Sequence, residues 1–312
     1  MVHYRILFIV NPISGFGLGW EIPYRIRHIA AYKHIEYNIR FTEYAGHAKT
    51  IAEKITQNLT VPGNLVVLGG DGTLNEVLEG IKHLNKVYLY YIPTGSGNDF
   101  ARGMGIPYEP LRAFDLLKAN SRTVPIDLGI LQTDGKSRRF AVSAGIGFDA
   151  AICHEALTSP LKAFLNRLHL GKLTYLLIAV KQLILSVPAD MELEIDGKKK
   201  LHYPHSYFVA IMNQSYEGGG IKFCPNACPW DGNLDVCLIG GVNRIKFVFL
   251  LLMCLLKKHE NLPGVHIFRC KSINIKSSLP LPVHTDGESG GTQSEISVKL
   301  EKEPLNVILP MI

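Results

Sequence analysis

The chain has 312 residues, of which 47% are apolar and 19% charged, with 29 Gly and 17 Pro. Those values exclude disordered, collagen-like and low-complexity classes, and the length suits about two domains. The 33 basic and 27 acidic residues leave a net charge of +6, an excess that suits an anionic ligand or membrane surface but is too dispersed to signal nucleic acid.

The predicted elements alternate through the first third. Tyr4 to Val10 is a short β-prone run, and Asn11-Pro-Ile-Ser-Gly-Phe-Gly after it is a loop. Residues 20–33 read as a helix and 35–41 as a strand; 47–59 is helical by the spacing of Ile51, Ile55 and Leu59. A strand over 64–68, a turn at Gly69 to Gly72, a helix over 73–84 and a strand over 88–92 follow. A Gly-rich loop and helices then run to about Asn120. This succession implies a mostly parallel sheet with helices on both faces.

From about residue 122 short strand candidates dominate, at 124–133, 138–145, 190–196, 206–213, 234–239, 265–276 and 294–300. Glu194-Ile-Asp-Gly-Lys carries an Asp-Gly hairpin signal. Helices are expected mainly at 160–187 and 242–258. The expected organisation is an α/β domain over 1–125, completed by 290–312, and a largely antiparallel β domain over 126–289.

The cysteines are Cys153, Cys224, Cys228, Cys237, Cys254 and Cys270. Cys224 and Cys228 lack a second half-site at zinc spacing, so they read as packing thiols. The opening MVHYRILFIV is too short in apolar residues for a secretory signal, so a reduced, cytosolic compartment is expected. The longest apolar run is Phe247 to Leu256, between Lys246 and Lys257. It is half of the ~20 residues a span needs. A protein of this kind visits a membrane surface rather than crossing it. Lys198, Lys199, Lys200, Lys257 and Lys258 could meet anionic lipid there.

Three Gly-rich loops each follow a predicted strand: Asn11-Pro-Ile-Ser-Gly, Gly69-Gly-Asp-Gly-Thr-Leu-Asn and Pro93-Thr-Gly-Ser-Gly-Asn-Asp-Phe-Ala-Arg. In an open α/β sheet they meet at the carboxyl rim, where ligands bind. Gly69, Gly70 and Gly72 let backbone N–H groups approach a phosphate ahead of a helix. Ser14, Thr73 and Ser96 add hydroxyl donors. A carboxylate in such a loop repels phosphate unless a cation intervenes, so Asp71 fits a Mg²⁺ shell, with Asp99 and Asp127 as partners. As isolated features, Asp71 would be a turn residue and Asp99 a helix cap. The sequence has neither a Walker A loop nor a well-placed dinucleotide fingerprint. Near the end, His284-Thr-Asp-Gly-Glu pairs Asp286 with Glu288, either an ordinary turn or a base with its supporting neighbour. Asp231 sits in another acidic turn that is either structural or able to hold a hard cation.

Taken together, these residues resemble the diacylglycerol kinase catalytic-domain family, which includes bacterial soluble lipid kinases and is related to sphingosine and ceramide kinases. The carriers are Asn11-Pro-Ile-Ser-Gly, Thr42 with Gly46-His-Ala, Gly69-Gly-Asp-Gly-Thr-Leu-Asn-Glu, Gly95-Ser-Gly-Asn-Asp-Phe-Ala-Arg, Asn226 through Leu234, and Asp286-Gly-Glu. They span Tyr4 to the C-terminus. The Gly-Gly-Asp-Gly-Thr run alone is shared with NAD kinases and phosphofructokinase-like folds. The resemblance implies an NAD kinase-like α/β domain, a β-sandwich second domain, and ATP in the cleft between them. It implies nucleotide contacts at Asn11, Ser14, Thr42, Gly69 to Asn75 and Ser96. It matches Asp71, Asp99 and Asp127 to an aspartate–water–Mg²⁺ network, and Asp286 to the general base with Glu288 in support. It matches Asp231, with the carbonyls of Cys228 and Asn233, to a structural Mg²⁺ site. Ser289 stands where the family often has Pro, and Gly287 to Thr292 reads as a mobile loop.

The expected activity is therefore an ATP- and Mg²⁺-dependent lipid kinase, with diacylglycerol as the leading substrate at the inner membrane face. A homodimer is compatible with the sequence. The rivals are a kinase of a soluble substrate such as NAD, and a non-enzymatic lipid- or nucleotide-binding regulator.

Overall fold

Short apolar runs separated by Gly-rich turns form the strands of the first sheet. A computed structural model describes residues 6–17, 20–24, 37–119, 121–158 and 171–311. The expected helical residues 25–33 and 160–170 lie outside these. The chain divides into two units: Met1–Leu128, Gly218–Gly220 and Glu301–Ile312 form one, and Gly129–Glu217 and Ile221–Leu300 the other.

In the first unit, β1 (Ile6–Val10), β2 (Tyr37–Phe41), β3 (Gly63–Gly69) and β4 (Val87–Pro93) pair in parallel. Helices α1 (His47–Thr56), α2 (Asp71–Gly80), α3 (Asp99–Met104) and α4 (Pro110–Ala119) connect or follow them. Among the described residues the sheet has six strands, in the order β2-β1-β3-β4-β16-β5. Its last two members are β16 (Leu305–Pro310), parallel to β4, and β5 (Ser121–Ile126), antiparallel to β16. Val67, Leu68, Leu89, Tyr91 and Ile92 are almost fully buried, as expected of a sheet covered on both faces.

The second unit is an all-antiparallel β-sandwich with ten strands among the described residues, β6 (Gly129–Thr133) to β15 (Glu288–Leu300). Its main path is β13-β12-β11-β8-β14-β15-β6-β7, with β9 on β14 and β10 on β9. Here β7 is Lys136–Phe140, β8 Ser143–Gly147, β9 Ala189–Ile195, β10 Lys199–Ser206, β11 Phe208–Met212, β12 Leu234–Ile239, β13 Val265–Cys270 and β14 Ser272–Thr285. Helices α5 (Phe148–Thr158), α6 (Gly171–Leu185) and α7 (Arg244–Leu255) also belong to this unit. Strand β11 has no polar alternation because both its faces are covered. Val209 and Ile211 enter the inner core, whereas Phe208, Ala210 and Met212 pack in a second cluster with Phe247 and Leu250 of α7.

Three expected strands are broken in two, each for a physical reason. Residues 124–133 divide between sheets: β5 ends at Ile126, and β6 starts at Gly129 in the sandwich. Residues 138–145 are interrupted at Ala141 and Val142, whose N–H groups bond the Asp286 carboxylate rather than a neighbouring strand. Residues 265–276 turn at Lys271, where Asp196 Oδ1 accepts from the N–H of Lys271 and of Ser272. The Asp-Gly hairpin is present: β9 and β10 pair around Asp196 and Gly197, both with positive φ. The segment expected as a mobile loop from Gly287 to Thr292 is largely strand, since β15 begins at Glu288.

Candidate active site

Parallel pairing places the ends of β1, β3 and β4 side by side, and their loops are tied together there. Asn11 N–H donates to Leu68 O at 2.9 Å, and Thr94 N–H to Gly69 O at 2.9 Å. Side chains cross the same seam. Asn11 Nδ2 donates to Thr73 Oγ1 (3.1 Å), and Thr94 Oγ1 to Ser14 Oγ (2.7 Å). Thr42 joins through its N–H to Val10 O. Glu76, in the first turns of α2, accepts from Gly46 N–H at 2.8 Å and Ala48 N–H at 3.1 Å, which fixes the loop after Thr42. Tyr91 OH donates to Gly69 O. Burial, then Asp71 and Asp99, push its pKa well above the ordinary value, so it remains a donor.

The loops after β3 and β4 approach so closely that a Cβ on Gly95 would lie 2.7 Å from Gly70 Cα. Only glycine fits there. Gly70 precedes α2 in extended conformation, and Gly72, Thr73 and Asn75 lie in that helix's first turns. The first N–H groups of such a helix are available to an anion. Ser96 is exposed on the β4 loop.

Asp71 and Asp99 open α2 and α3 and adjoin: Asp99 N–H donates to Asp71 Oδ2 at 3.2 Å. Asp99 also ion-pairs with Arg102 at 2.8 Å and accepts from Gly219 N–H at 3.0 Å. Their carboxylate oxygens are the ligands a hard cation takes, and Gly97 keeps space at Asp71, since a Cβ there would come within 2.9 Å of Oδ2. A hard cation at this pair would share Asp99 with the Arg102 guanidinium, so Asp71 would be its leading ligand.

Asp127 is not brought to them. It follows β5, where Ile126 pairs with Leu305 and Pro125 with Asn306; Asn306 in turn pairs with Tyr88 near the start of β4. The register sets Asp127 beyond the amino end of β4, about 20 Å of strand from the rim. Local sequence carries no signal for this, because it depends on the direction in which β5 joins the sheet.

In the second unit, Thr285, Asp286, Gly287 and Glu288 make the β14–β15 turn. Asp286 and Gly287 both have positive φ, 48° and 82°, as a two-residue primed turn requires. The Asp286 side chain folds back into three backbone amides: Ala141 N–H to Oδ2 at 2.9 Å, Val142 N–H to Oδ1 at 2.8 Å and Ser143 N–H to Oδ1 at 3.0 Å. Asn213 braces that segment by donating from Nδ2 to Ala141 O and from its N–H to Val142 O. The turn is thus ordinary in its backbone and unusual in where its carboxylate goes. Glu288 is half-buried and pairs across the turn with Thr285.

The Asp231 turn does not fit a metal. Its Oδ2 is ion-paired with Arg269, and Oδ1 accepts from Asn233 N–H at 3.0 Å. Arg269 Nε also reaches Asp235 at 3.2 Å. A second cation would face this guanidinium. Cys228 is a half-buried free thiol.

One buried cluster was not singled out in the sequence. Nε2 of His284 lies 3.1 Å from Glu217 Oε1 and 3.3 Å from Asp149 Oδ2, and the three side chains are buried. Burial alone would lower the His284 pKa; Glu217 and Asp149 reverse this and hold it up at about 9. Their positions, 149, 217 and 284, have no common spacing, so only folding reveals the group.

Family models match both units: "Diacylglycerol kinase catalytic domain" over residues 5–131, and "YegS C-terminal NAD kinase beta sandwich-like domain" over 142–309. A diacylglycerol kinase of Bacillus subtilis (strain 168) is 30% identical over 312 residues, 98% of this chain and 96% of that protein. A diacylglycerol kinase structure from Bacillus anthracis str. Sterne superposes with a TM-score of 0.69 at 21% identity, covering 98% of this chain and 97% of that one. An ATP complex of an NAD kinase from Archaeoglobus fulgidus gives 0.52 at 14%, covering 98% and 93%. At those identities the two structures speak to fold alone.

Proposed function

The chain belongs to the diacylglycerol kinase catalytic-domain family, a family of phosphotransferases, and on that premise we propose that it transfers the γ-phosphoryl group of ATP to a lipid hydroxyl, with diacylglycerol as first candidate. The observation that carries the nucleotide half is the tied rim, Asn11 to Thr73 and Ser14 to Thr94, over loops whose backbones touch at Gly70 and Gly95. It is a rigid surface of amide and hydroxyl donors, the surface that a polyphosphate needs. Asp71 and Asp99 would hold Mg²⁺, which when bound supplies charge neutralisation at the phosphates.

Asp286 receives the lipid hydroxyl. Three amide donors hold its carboxylate in place. In phosphoryl transfer through a loose transition state the proton leaves late, and orienting the hydroxyl matters more than abstracting its proton early. Among the described residues no helix is long and apolar enough to cross a membrane. On this reading the enzyme works from the cytoplasmic side and meets its lipid at the bilayer surface.

The test is transfer of labelled phosphate from ATP, with Mg²⁺, to mixed micelles of diacylglycerol, phosphatidylglycerol, sphingosine, ceramide or undecaprenol, with NAD as soluble control. One labelled lipid, lost in Asp286→Asn while ATP binding persists, supports the reading. Labelled NAD alone replaces it with a soluble-substrate kinase. Full activity in Asp286→Asn removes Asp286 from its role.

A further inference from the structure

The two ring nitrogens of His284 face different partners. Nε2 lies against the carboxylates of Glu217 and Asp149, at 3.1 and 3.3 Å. Nδ1 lies 3.3 Å from the N–H of Gly287, the residue after Asp286. A nitrogen that faces an N–H must offer a lone pair, and one that faces carboxylates must carry a proton. The geometry therefore assigns the neutral ring with hydrogen on Nε2 to the state in which Gly287 is held. Gly145 makes room for the arrangement, because a Cβ there would collide with Asp149 Oδ2 and His284 Nε2. Asp149 is fixed in turn at the start of α5, where its Oδ1 accepts from Ala150 N–H at 2.8 Å.

We propose that His284 is a positioning residue for Asp286: its Nδ1 holds Gly287 N–H and so the angle of the turn, while Asp149 and Glu217 orient the ring. This rests on the reading of Asp286 as the group that meets the lipid hydroxyl. The charges around the ring are Glu217, Asp149 on α5 and Asp286 on the turn itself. His154 on α5 sits one residue away, with Nε2 on Val283 O at 2.7 Å. All three carboxylates favour the imidazolium, and a proton on Nδ1 would oppose Gly287 N–H. Protonation of the ring and the hold on the turn therefore exclude one another. The two buried carboxylates bias the ring towards the released state, and deprotonation near pH 9 restores the hold.

Two measurements test this, one independent of turnover. In an NMR titration of the full chain, the Gly287 amide should shift with the same midpoint as the His284 ring, and the deprotonated ring should carry hydrogen on Nε2. Glu217→Gln removes one carboxylate and should move that midpoint to lower pH by about a unit or more. A Gly287 amide that ignores the His284 titration overturns the proposal. In kinetics, kcat should rise through the same midpoint, and Glu217→Gln should move that limb downwards. Above that midpoint, where the hold is in place, His284→Ala, checked for folding by its melting curve, should lower kcat about tenfold or more, with KM for ATP unchanged. His284→Asn, whose Oδ1 can stand in for Nδ1, should recover part of that loss and lose the alkaline limb. A folded His284→Ala with kcat within about twofold of the parent above the midpoint, beside an inactive Asp286→Asn, overturns the positioning role and leaves Asp286 in place. Full activity in Asp286→Asn overturns the Asp286 reading instead, whatever His284 does.

Discussion

At the scale of single residues, the rim depends on a missing side chain. Gly95→Ala would place a methyl 2.7 Å from the Gly70 backbone, which cannot retreat as a flexible side chain could. The loops must separate, so we expect ATP affinity to fall about tenfold or more while the melting temperature changes little; calorimetric titration reads the first and a thermal melt the second. Arg269 is the other test. If its guanidinium takes the cation's place at the Asp231 turn, Asp231→Asn should leave any Mg²⁺ stabilisation of the protein unchanged. Arg269→Ala should lower the melting temperature, and Mg²⁺ should then restore part of it. A wild-type chain that Mg²⁺ stabilises through this turn would contradict the assignment. Residues at this scale were legible where a motif is contiguous. The loops at Asn11 and Gly69 to Asn75 and the turn at Asp286 could be read in sequence, because a strand-end loop and a tight turn are local. Arg269, 38 residues from Asp231, and His284, whose partners lie on two other segments, could not.

Individual elements show what burial on two sides does. Helix α7 begins at an Asn243 cap, whose side chain accepts from Lys246 N–H. Its Phe247 stacks on Tyr207 with ring centres 3.9 Å apart, and it meets Phe148 edge-on at 5.1 Å. Phe247→Ala should cost about 3–5 kcal/mol, because the aromatic cluster around it cannot collapse into the space. Chemical denaturation measures that; a loss below about 1 kcal/mol would mean the cluster repacks. The apolar run of α7 was visible as a helix, and its exposed Ile245, Phe249, Leu252 and Leu255 explain why no polar face announced itself. Strand boundaries were less visible. Ala141 and Val142 read as a continuation of β7, because apolar residues whose amides bind a distant carboxylate look no different from residues in a ladder. Where a strand leaves one sheet for another, as between Ile126 and Gly129, composition does not change either.

For the whole molecule, the decisive feature is β16. Alternating elements and the shift in texture near residue 122 revealed an α/β part and a β part, but not the strand order. Strand β16 lies inside the first sheet, between β4 and β5, although it comes after all of the sandwich in the chain. Removing residues beyond Leu300 should therefore abolish ATP binding and lower the cooperativity of unfolding. Retained binding by the shortened chain would show that β4 and β5 close without it.

The same strand sets a schedule for biosynthesis. Residues 305–310 leave the ribosome after everything from Gly129 to Leu300, so the α/β sheet has a gap in it while the sandwich is being made. At usual elongation rates of ~5–20 residues per second that interval lasts roughly 10–40 s. Throughout it, the edges of β4 and β5 are open to pairing with other nascent chains. Of the two units, the one translated first is thus the last to be finished.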